Sequence, residues 1–172
     1  VSIAITAVND QPVATPQTDV AATEQTAVTI TLAGTDADGD TLTYSIVDAP
    51  TSGTATLDGV TVTYTSTSDT ATSDSFTFKV NDGTVDSAAA TVSIAITAVN
   101  DQPTSSDQTV TTIEDISLDV TLVAADVDGD TLTYLVVDNP TNGSVSITEN
   151  KATYVPSDGY FGADSFTFKV ND

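Results

Sequence analysis

Two short acidic segments are the part of this sequence whose residue types and spacing could do chemistry. Each places three aspartates at alternate positions around one glycine: Asp36, Asp38 and Asp40 in the first, and Asp126, Asp128 and Asp130 in the second. Carboxylates this close repel one another, and a bound hard cation such as Ca²⁺ is the simplest way to offset that repulsion. The spacing predicts a Ca²⁺ site, although not an EF-hand, because the twelfth position counted from Asp36 is Val47. The alternative is a solvated acidic turn.

A second motif brings an amide and a carboxylate next to a proline. Asn9 and Asp10 precede Gln11 and Pro12, and the same four residues return at positions 100–103, as Asn100 and Asp101 with their glutamine and proline. Proline restricts the backbone and stiffens a linker, while the amide and carboxylate oxygens could bind the same cation. An ordinary turn is the alternative interpretation.

The composition excludes several classes of chemistry. The chain has 172 residues with Lys+Arg 3, Asp+Glu 25, a net charge of −22, and neither histidine nor cysteine. Imidazole bases, thiol nucleophiles, Cys/His zinc sites and disulfides are therefore excluded. So strong a negative charge opposes binding to nucleic acid and to anionic membranes, and no apolar run approaches the roughly 20 residues of a membrane span. The paired carboxylates have no tryptophan platform beside them, and we predict no enzymatic activity.

An internal repeat of about 90 residues organises the chain. Residues 1–12 recur unchanged as residues 92–103, an offset of 91, and residues 74–82 recur as residues 164–172, an offset of 90. The one-residue slip falls between residues 12 and 36. A period of this length is typical of a small β-sandwich rather than of a helical solenoid.

Strand patterns fill each repeat. Phe76, Phe78 and Val80 alternate with polar residues, and Asp58-Gly59 lies between two alternating segments in the manner of a two-residue hairpin turn. No helical periodicity is visible. We predict an all-β protein made of tandem Ig-like Greek-key sandwiches, with about seven strands each.

The repeat phase predicts three regions. Residues 1–9 match the last strand of a preceding repeat, residues 10–101 form one complete repeat, and residues 102–172 form a second repeat without its last strand. An open sheet edge together with an unpaired matching strand favours strand exchange. We therefore predict that residues 1–9 can fill the open edge of the second repeat in a neighbouring copy, giving head-to-tail chains. The alternative is that this strand is disordered or packs elsewhere.

Several segments resemble the cadherin repeat. The resemblance rests on residues 35–38, residues 42–46 and the Asn-Asp-x-Pro linker, while residues 160–172 are more closely similar to the cadherin-like, Ig-like tandem repeats of large bacterial extracellular adhesins and matrix proteins. The resemblance covers nearly the whole chain. It implies Ca²⁺ bound at the joints between successive sandwiches, where it would stiffen an extended rod.

The resemblance also implies ligand sets. For the joint that follows the first repeat the positions are Glu24, Asn100, Asp101, Asp126, Asp128 and Asp172; for the joint that precedes it they are Asn9, Asp10, Asp36, Asp38 and Asp82. The Asp-Arg-Glu triplet of cadherins is absent, and Asp74 and Asp164 are the candidates to replace it. We therefore expect one or two ions per joint.

The predicted function is that of a calcium-stiffened structural spacer in a long adhesin or matrix fibre, located outside the cell or on its surface. Its partners would be copies of itself or neighbouring repeats in head-to-tail order. The alternative is a calcium-dependent module for polysaccharide binding or cell adhesion.

Overall fold

The computed structural model describes residues 1–172, which contain strands and no helix. The chain divides into two compact units, Val1–Val99 and Asn100–Asp172. The predicted all-β fold is confirmed. Residues 1–10 lie outside the strands, and their apolar side chains are exposed to solvent.

Unit 1 is a sandwich of two main sheets. The larger sheet has the strand order β2-β9-β8-β5, the smaller has the order β3-β7-β6, and β1 pairs with β4 beside them. Only β2 and β9 run parallel; the other pairs are antiparallel. The strands of this unit are β1 (Val13–Thr15), β2 (Gln17–Thr23), β3 (Val28–Thr31), β4 (Ala33–Thr35), β5 (Thr43–Asp48), β6 (Gly53–Asp58), β7 (Thr61–Ser66), β8 (Ser73–Asn81) and β9 (Ala90–Thr97).

The core of unit 1 follows the alternation read from the sequence. Phe76, Phe78 and Val80 of β8 are at most 1% exposed, and they pack in one cluster with Val62 and Tyr64 of the opposite sheet. The predicted hairpin between β6 and β7 is present, but its turn lies one residue later than predicted. Asp58 pairs with Thr61, so Gly59 and Val60 form the turn, and the φ of 60° at Gly59 suits a residue without a side chain.

A β-bulge in β2 explains the one-residue slip between the repeats. Gln17 donates from its side-chain amide to the carbonyl of Thr31, and Gln108, 91 residues later, makes the same bond to Thr121. The β2–β9 register shifts between Gln17 and Val20, around Asp19 with its φ of 55°. Unit 1 has one more residue than unit 2 in this segment. The bulge accommodates that residue, because a bulge is defined by one extra residue on one strand.

Unit 2 repeats part of this plan. Its sheets have the orders β11-β15-β14, β13-β16 and β10-β12, all antiparallel. Its strands are β10 (Thr104–Ser105), β11 (Leu118–Thr121), β12 (Ala124–Ala125), β13 (Thr133–Asp138), β14 (Gly143–Thr148), β15 (Lys151–Pro156) and β16 (Thr167–Asn171).

Two strands of unit 1 have weak or missing counterparts in unit 2, and both depend on β9. The segment 108–113, which corresponds to β2, is not a strand, because β2 pairs only with β9 in unit 1. β16 is five residues long where β8 has nine, because residues 73–76 of β8 pair with β9 alone. The core is reduced accordingly: Val120, Leu122 and Ala152 are buried, while Phe168 is only partly buried.

Candidate metal centre

The first acidic loop joins β4 to β5 and is folded on one of its own carboxylates. Asp36 Oδ1 accepts hydrogen bonds from the backbone N–H of Asp38 at 3.0 Å and of Asp40 at 3.1 Å. Gly39, at φ 81°, allows the tight turn between them. One carboxylate oxygen from each of the three aspartates lies within 4.8 Å of the others.

The linker that precedes β1 is bound to this loop and to the end of β8. The backbone N–H of Asp10 donates to Asp38 Oδ2 at 2.7 Å, and the Asn9 amide donates to Asp82 Oδ2 at 2.9 Å. Pro12 is fully buried. The structure therefore brings together six of the predicted ligands of unit 1: Asn9, Asp10, Asp36, Asp38, Asp40 and Asp82.

Asp82 is held in its ionised form. The Asn9 amide is the main cause of a lowered pKa for this carboxyl group, with further help from the backbone N–H groups of Val85 and Thr84. The side chain is 8% exposed. A carboxylate that is buried and ionised keeps its negative charge available for a cation.

Unit 2 contains the same arrangement. The Asn100 amide donates to Asp172 Oδ2 at 2.5 Å, and the backbone N–H of Asp101 donates to Asp128 Oδ2 at 2.7 Å. Asp126 Oδ1 accepts from the N–H of Asp130 at 3.1 Å. One oxygen each of Asp126, Asp128 and Asp130 lies within 4.8 Å of the others. The grouping is thus a property of the repeated sequence rather than of one loop.

Three carboxylate oxygens in the chain are buried without a hydrogen-bond partner. They are Asp36 Oδ2, Asp126 Oδ2 and Glu24 Oε2, and Glu24 as a whole is 3% exposed. A buried carboxylate oxygen without a partner is costly, and coordination to a cation is one way to satisfy it. All the side-chain and carbonyl oxygens available in the clusters are hard donors of the kind that Ca²⁺ prefers. The residues therefore fit a calcium ion.

Glu24 lies at the opposite end of unit 1 from the acidic loop. Its backbone N–H donates to Thr97, the last residue of β9, which is antiparallel to β8. Asp82 follows the other end of β8, and nine strand residues span roughly 26 Å. Glu24 and the six grouped ligands of unit 1 cannot bind one ion within that unit.

Asp74 is at the Glu24 end and is engaged in hydrogen bonds. Its carboxylate accepts from the backbone N–H groups of Thr51, Ser52 and Ser75 and from the hydroxyl of Tyr64. Asp164 makes the equivalent bonds in unit 2. This network ties the start of β8 to the turn before β6. The role of Asp74 as a metal ligand remains a prediction.

The Tyr64–Asp74 pair predicts how the stability of unit 1 depends on pH. Burial and the hydrogen bond to Asp74 raise the pKa of Tyr64 to about 12 from 10.0. Burial alone raises the pKa of Asp74, but its hydrogen bonds outweigh burial and hold that pKa below 3.8. The Tyr64 contribution is thus complete below pH 10 and is lost between about pH 10 and 12, while that of Asp74 is lost as the pH falls below about 4.

Replacing Tyr64→Phe should lower the free energy of unfolding of unit 1 by about 1–3 kcal/mol at pH 7. It should also flatten the alkaline loss of stability, which urea unfolding from pH 7 to 12 would measure. An unchanged alkaline profile in this variant would contradict the assignment. Tyr154→Phe removes the equivalent bond to Asp164 in unit 2, and it is the control because it should leave the alkaline profile of unit 1 unchanged.

Sequence reasoning overlooked Asp69. Its carboxylate accepts a hydrogen bond from the side-chain amide of Gln25, the neighbour of Glu24, at 2.9 Å. Asp69 has no acidic copy, because the corresponding residue of unit 2 is Gly159, which donates its N–H to Asp115. Asp69 therefore could not be identified from the acidic residues that occur at matching positions of both repeats.

The fold and the two acidic centres define a class of tandem Ig-like and cadherin-like repeat proteins. The bacterial Ig domain family matches residues 9–95 and 100–172, and the chain belongs to this family. None of the curated proteins matches the chain significantly in sequence.

Two solved structures of cadherin domains share the fold. Protocadherin Gamma B2 extracellular cadherin domains 3–6 match with a TM-score of 0.58 and 15% identity, over 92% of this chain and 46% of that one. The protocadherin GammaB4 extracellular domain matches with a TM-score of 0.55 and 18% identity, over 96% and 33%. An endo-fucoidan hydrolase of glycoside hydrolase family 107 matches with a TM-score of 0.46 and 23% identity, over 94% and 27%. This chain thus spans between about a quarter and a half of each of these proteins.

The chain forms no helix long and apolar enough to cross a bilayer.

Proposed function

We propose that the chain is a calcium-stiffened structural spacer segment of a long adhesin or matrix fibre outside the cell. The observation that supports the proposal is the repeated presence, in each unit, of a buried carboxylate oxygen without a partner inside a cluster of three aspartates: Asp36 Oδ2 and Asp126 Oδ2. Both clusters adjoin the linker that precedes their own unit. Membership of the bacterial Ig domain family supports a structural or adhesive role rather than an enzymatic one.

The ligands proposed for each unit come from the loop, the linker and the end of the long strand. They are Asn9, Asp10, Asp36, Asp38, Asp40 and Asp82 in unit 1, and Asn100, Asp101, Asp126, Asp128, Asp130 and Asp172 in unit 2. Ca²⁺ fits better than Mg²⁺, because it accepts more oxygens with looser geometry. Glu24 is proposed as a ligand of a separate cation at the other end of unit 1, since its buried Oε2 has no partner.

A cation in the loop would fix the linker. Within unit 1 the linker is held by hydrogen bonds such as Asp10 N–H to Asp38 and the Asn9 amide to Asp82. An ion shared by these carboxylates would add an ionic crosslink and offset part of the charge of −22. Extracellular modules bind Ca²⁺ with dissociation constants of roughly 10⁻⁴–10⁻³ M, so the linker would be rigid outside a cell and looser inside it.

The proposal includes assembly. Copies of this chain or neighbouring repeats would be the partners, in head-to-tail order. The alternative function, calcium-dependent binding of polysaccharide or of cell surfaces, remains a prediction.

Calcium titration tests the proposal. With 10 mM Ca²⁺ and dissociation constants of roughly 10⁻⁴–10⁻³ M, the melting temperature should rise by on the order of 10 °C above its value in EDTA. Mg²⁺ at the same concentration controls for ionic strength and should have a smaller effect. If differential scanning calorimetry gives the same melting temperature in Ca²⁺ and in EDTA, the calcium role is wrong.

A further inference from the structure

The segment between β8 and β9 carries a residue that contacts both the long strand and the linker. Asp86 lies in this segment, and its carboxylate accepts hydrogen bonds from Lys79 Nζ at 2.5 Å and from Asn81 Nδ2 at 2.8 Å, both residues of β8. Its backbone carbonyl accepts a hydrogen bond from the side-chain amide of Gln11 at 2.7 Å. Asp86 therefore joins the end of β8 to the linker that precedes β1.

The loop from Asp82 to Asp86 is folded on its own first residue. Asp82 Oδ1 accepts hydrogen bonds from the backbone N–H groups of Thr84 and Val85, each at 2.7 Å. Asn81 and Asp86 pair in an isolated antiparallel bridge, which closes the loop. The first residue of this loop is thus a proposed calcium ligand, and its last residue is the one that contacts the linker.

The linker is held both inside and outside the proposed calcium site. Asn9 and Asp10 are proposed ligands, and each is hydrogen-bonded to another proposed ligand. Gln11, the next residue, is not a proposed ligand, and its side chain is hydrogen-bonded to Asp86. Ligands that are already in place lose less conformational freedom when an ion binds, and outer partners that orient the ligands raise metal affinity.

We propose that the Lys79–Asp86 ion pair positions the calcium ligands of unit 1, because it fixes both the linker and the loop that begins at Asp82. The inference deepens the proposed function and rests on it. The Lys79 and Asp86 side chains are 38% and 45% exposed, and an exposed ion pair of this kind contributes little to stability. We therefore expect its effect on calcium affinity rather than on folding.

The charge of Lys79 separates positioning from simple electrostatics. A lysine close to a cation site repels the cation, so charge alone predicts that removing Lys79 raises the calcium affinity. Positioning predicts the opposite result, because Asp86 loses the partner that holds it and the ligands become less ordered before binding.

Calcium titration of the full chain, followed by NMR, tests the proposal. The backbone amides of Gly39 and Gly129 lie in the two acidic loops and report on each unit separately. Lys79→Met should raise the calcium dissociation constant measured at Gly39 about tenfold, the lower end of the loss that follows removal of an outer partner of a metal ligand. The value at Gly129 should stay unchanged. Lys79→Arg keeps the ion pair and should retain the parent value at both glycines.

Lys151→Met is the matched control. Lys151 forms an exposed ion pair with Asp119 at 2.6 Å, and neither residue is hydrogen-bonded to the linker or to the acidic loop of unit 2. This variant should not raise the dissociation constant at Gly129. If Lys79→Met left the value at Gly39 unchanged or lowered it, the positioning role would be wrong while the calcium site would stand. If neither glycine of the parent chain responded to Ca²⁺, the calcium site itself would be wrong, and the positioning role with it.

Discussion

Phe78→Ala is expected to destabilise unit 1 by about 3–5 kcal/mol, the largest effect of any single substitution considered for this chain. Phe78 is 0% exposed, stacks against Tyr44 with ring centroids 6.4 Å apart, and lies in a cluster built from both sheets. Removing the ring would leave a cavity that the surrounding strands cannot close. Urea unfolding, resolved by unit through hydrogen exchange, would measure the change.

Phe168→Ala is the matched control, because Phe168 stacks on Tyr134 at the same centroid distance of 6.4 Å. Phe168 is only partly buried, so its loss should cost less than half as much. Equal losses in the two units would contradict the expectation that the cost follows the burial of the ring.

Neutralising one carboxylate of each acidic loop should change stability in opposite directions with and without calcium. In EDTA, Asp36→Asn or Asp126→Asn should leave the melting temperature unchanged or raise it, because one of three mutually repelling charges is removed. In 10 mM Ca²⁺ either variant should melt lower than the parent by on the order of 5–10 °C, because an ion bound only to the native state is held less tightly. Differential scanning calorimetry in both buffers would measure these two changes in melting temperature.

Asp107→Asn controls for net charge, since Asp107 is exposed and outside the clusters. It should shift the melting temperature little, and by the same small amount in both buffers. If Asp36→Asn and Asp126→Asn behaved like this control, the two loops would be solvated acidic turns. Asparagine keeps an oxygen that can accept the backbone N–H groups bonded to Asp36, so loss of the turn would not explain the result.

Much of the fold could be predicted because strand patterns are local. The alternation of Phe76, Phe78 and Val80 and the hairpin at Gly59 both depend on consecutive residues. The alternation is confirmed, and the hairpin is present with its turn one residue later than predicted. The parallel pairing of β2 with β9 could not be predicted in this way. It joins segments about 74 residues apart, and its register depends on a bulge at Asp19 that appears in the sequence only as a one-residue slip.

For the same reason, only part of the ligand prediction could be made from the sequence. The sequence identified the residues of each acidic centre, but only the folded chain shows that Asn9 contacts Asp82 while Glu24 lies at the far end of the unit. Likewise, the sequence suggests that Asp74 is free to bind a metal, although its carboxylate accepts five hydrogen bonds in the fold. Whether a carboxylate is satisfied depends on neighbours that are distant along the chain.

The sequence by itself determined the repeat, the β class and the residue types that a cation would need, because these depend on composition and short-range spacing. The tertiary structure decided which carboxylate oxygens are buried without partners, and that segment 108–113 forms no strand. Burial and strand pairing are set by residues that meet only after folding, so identical local sequences have different environments. Ile94 is buried and its copy Ile3 is exposed for this reason.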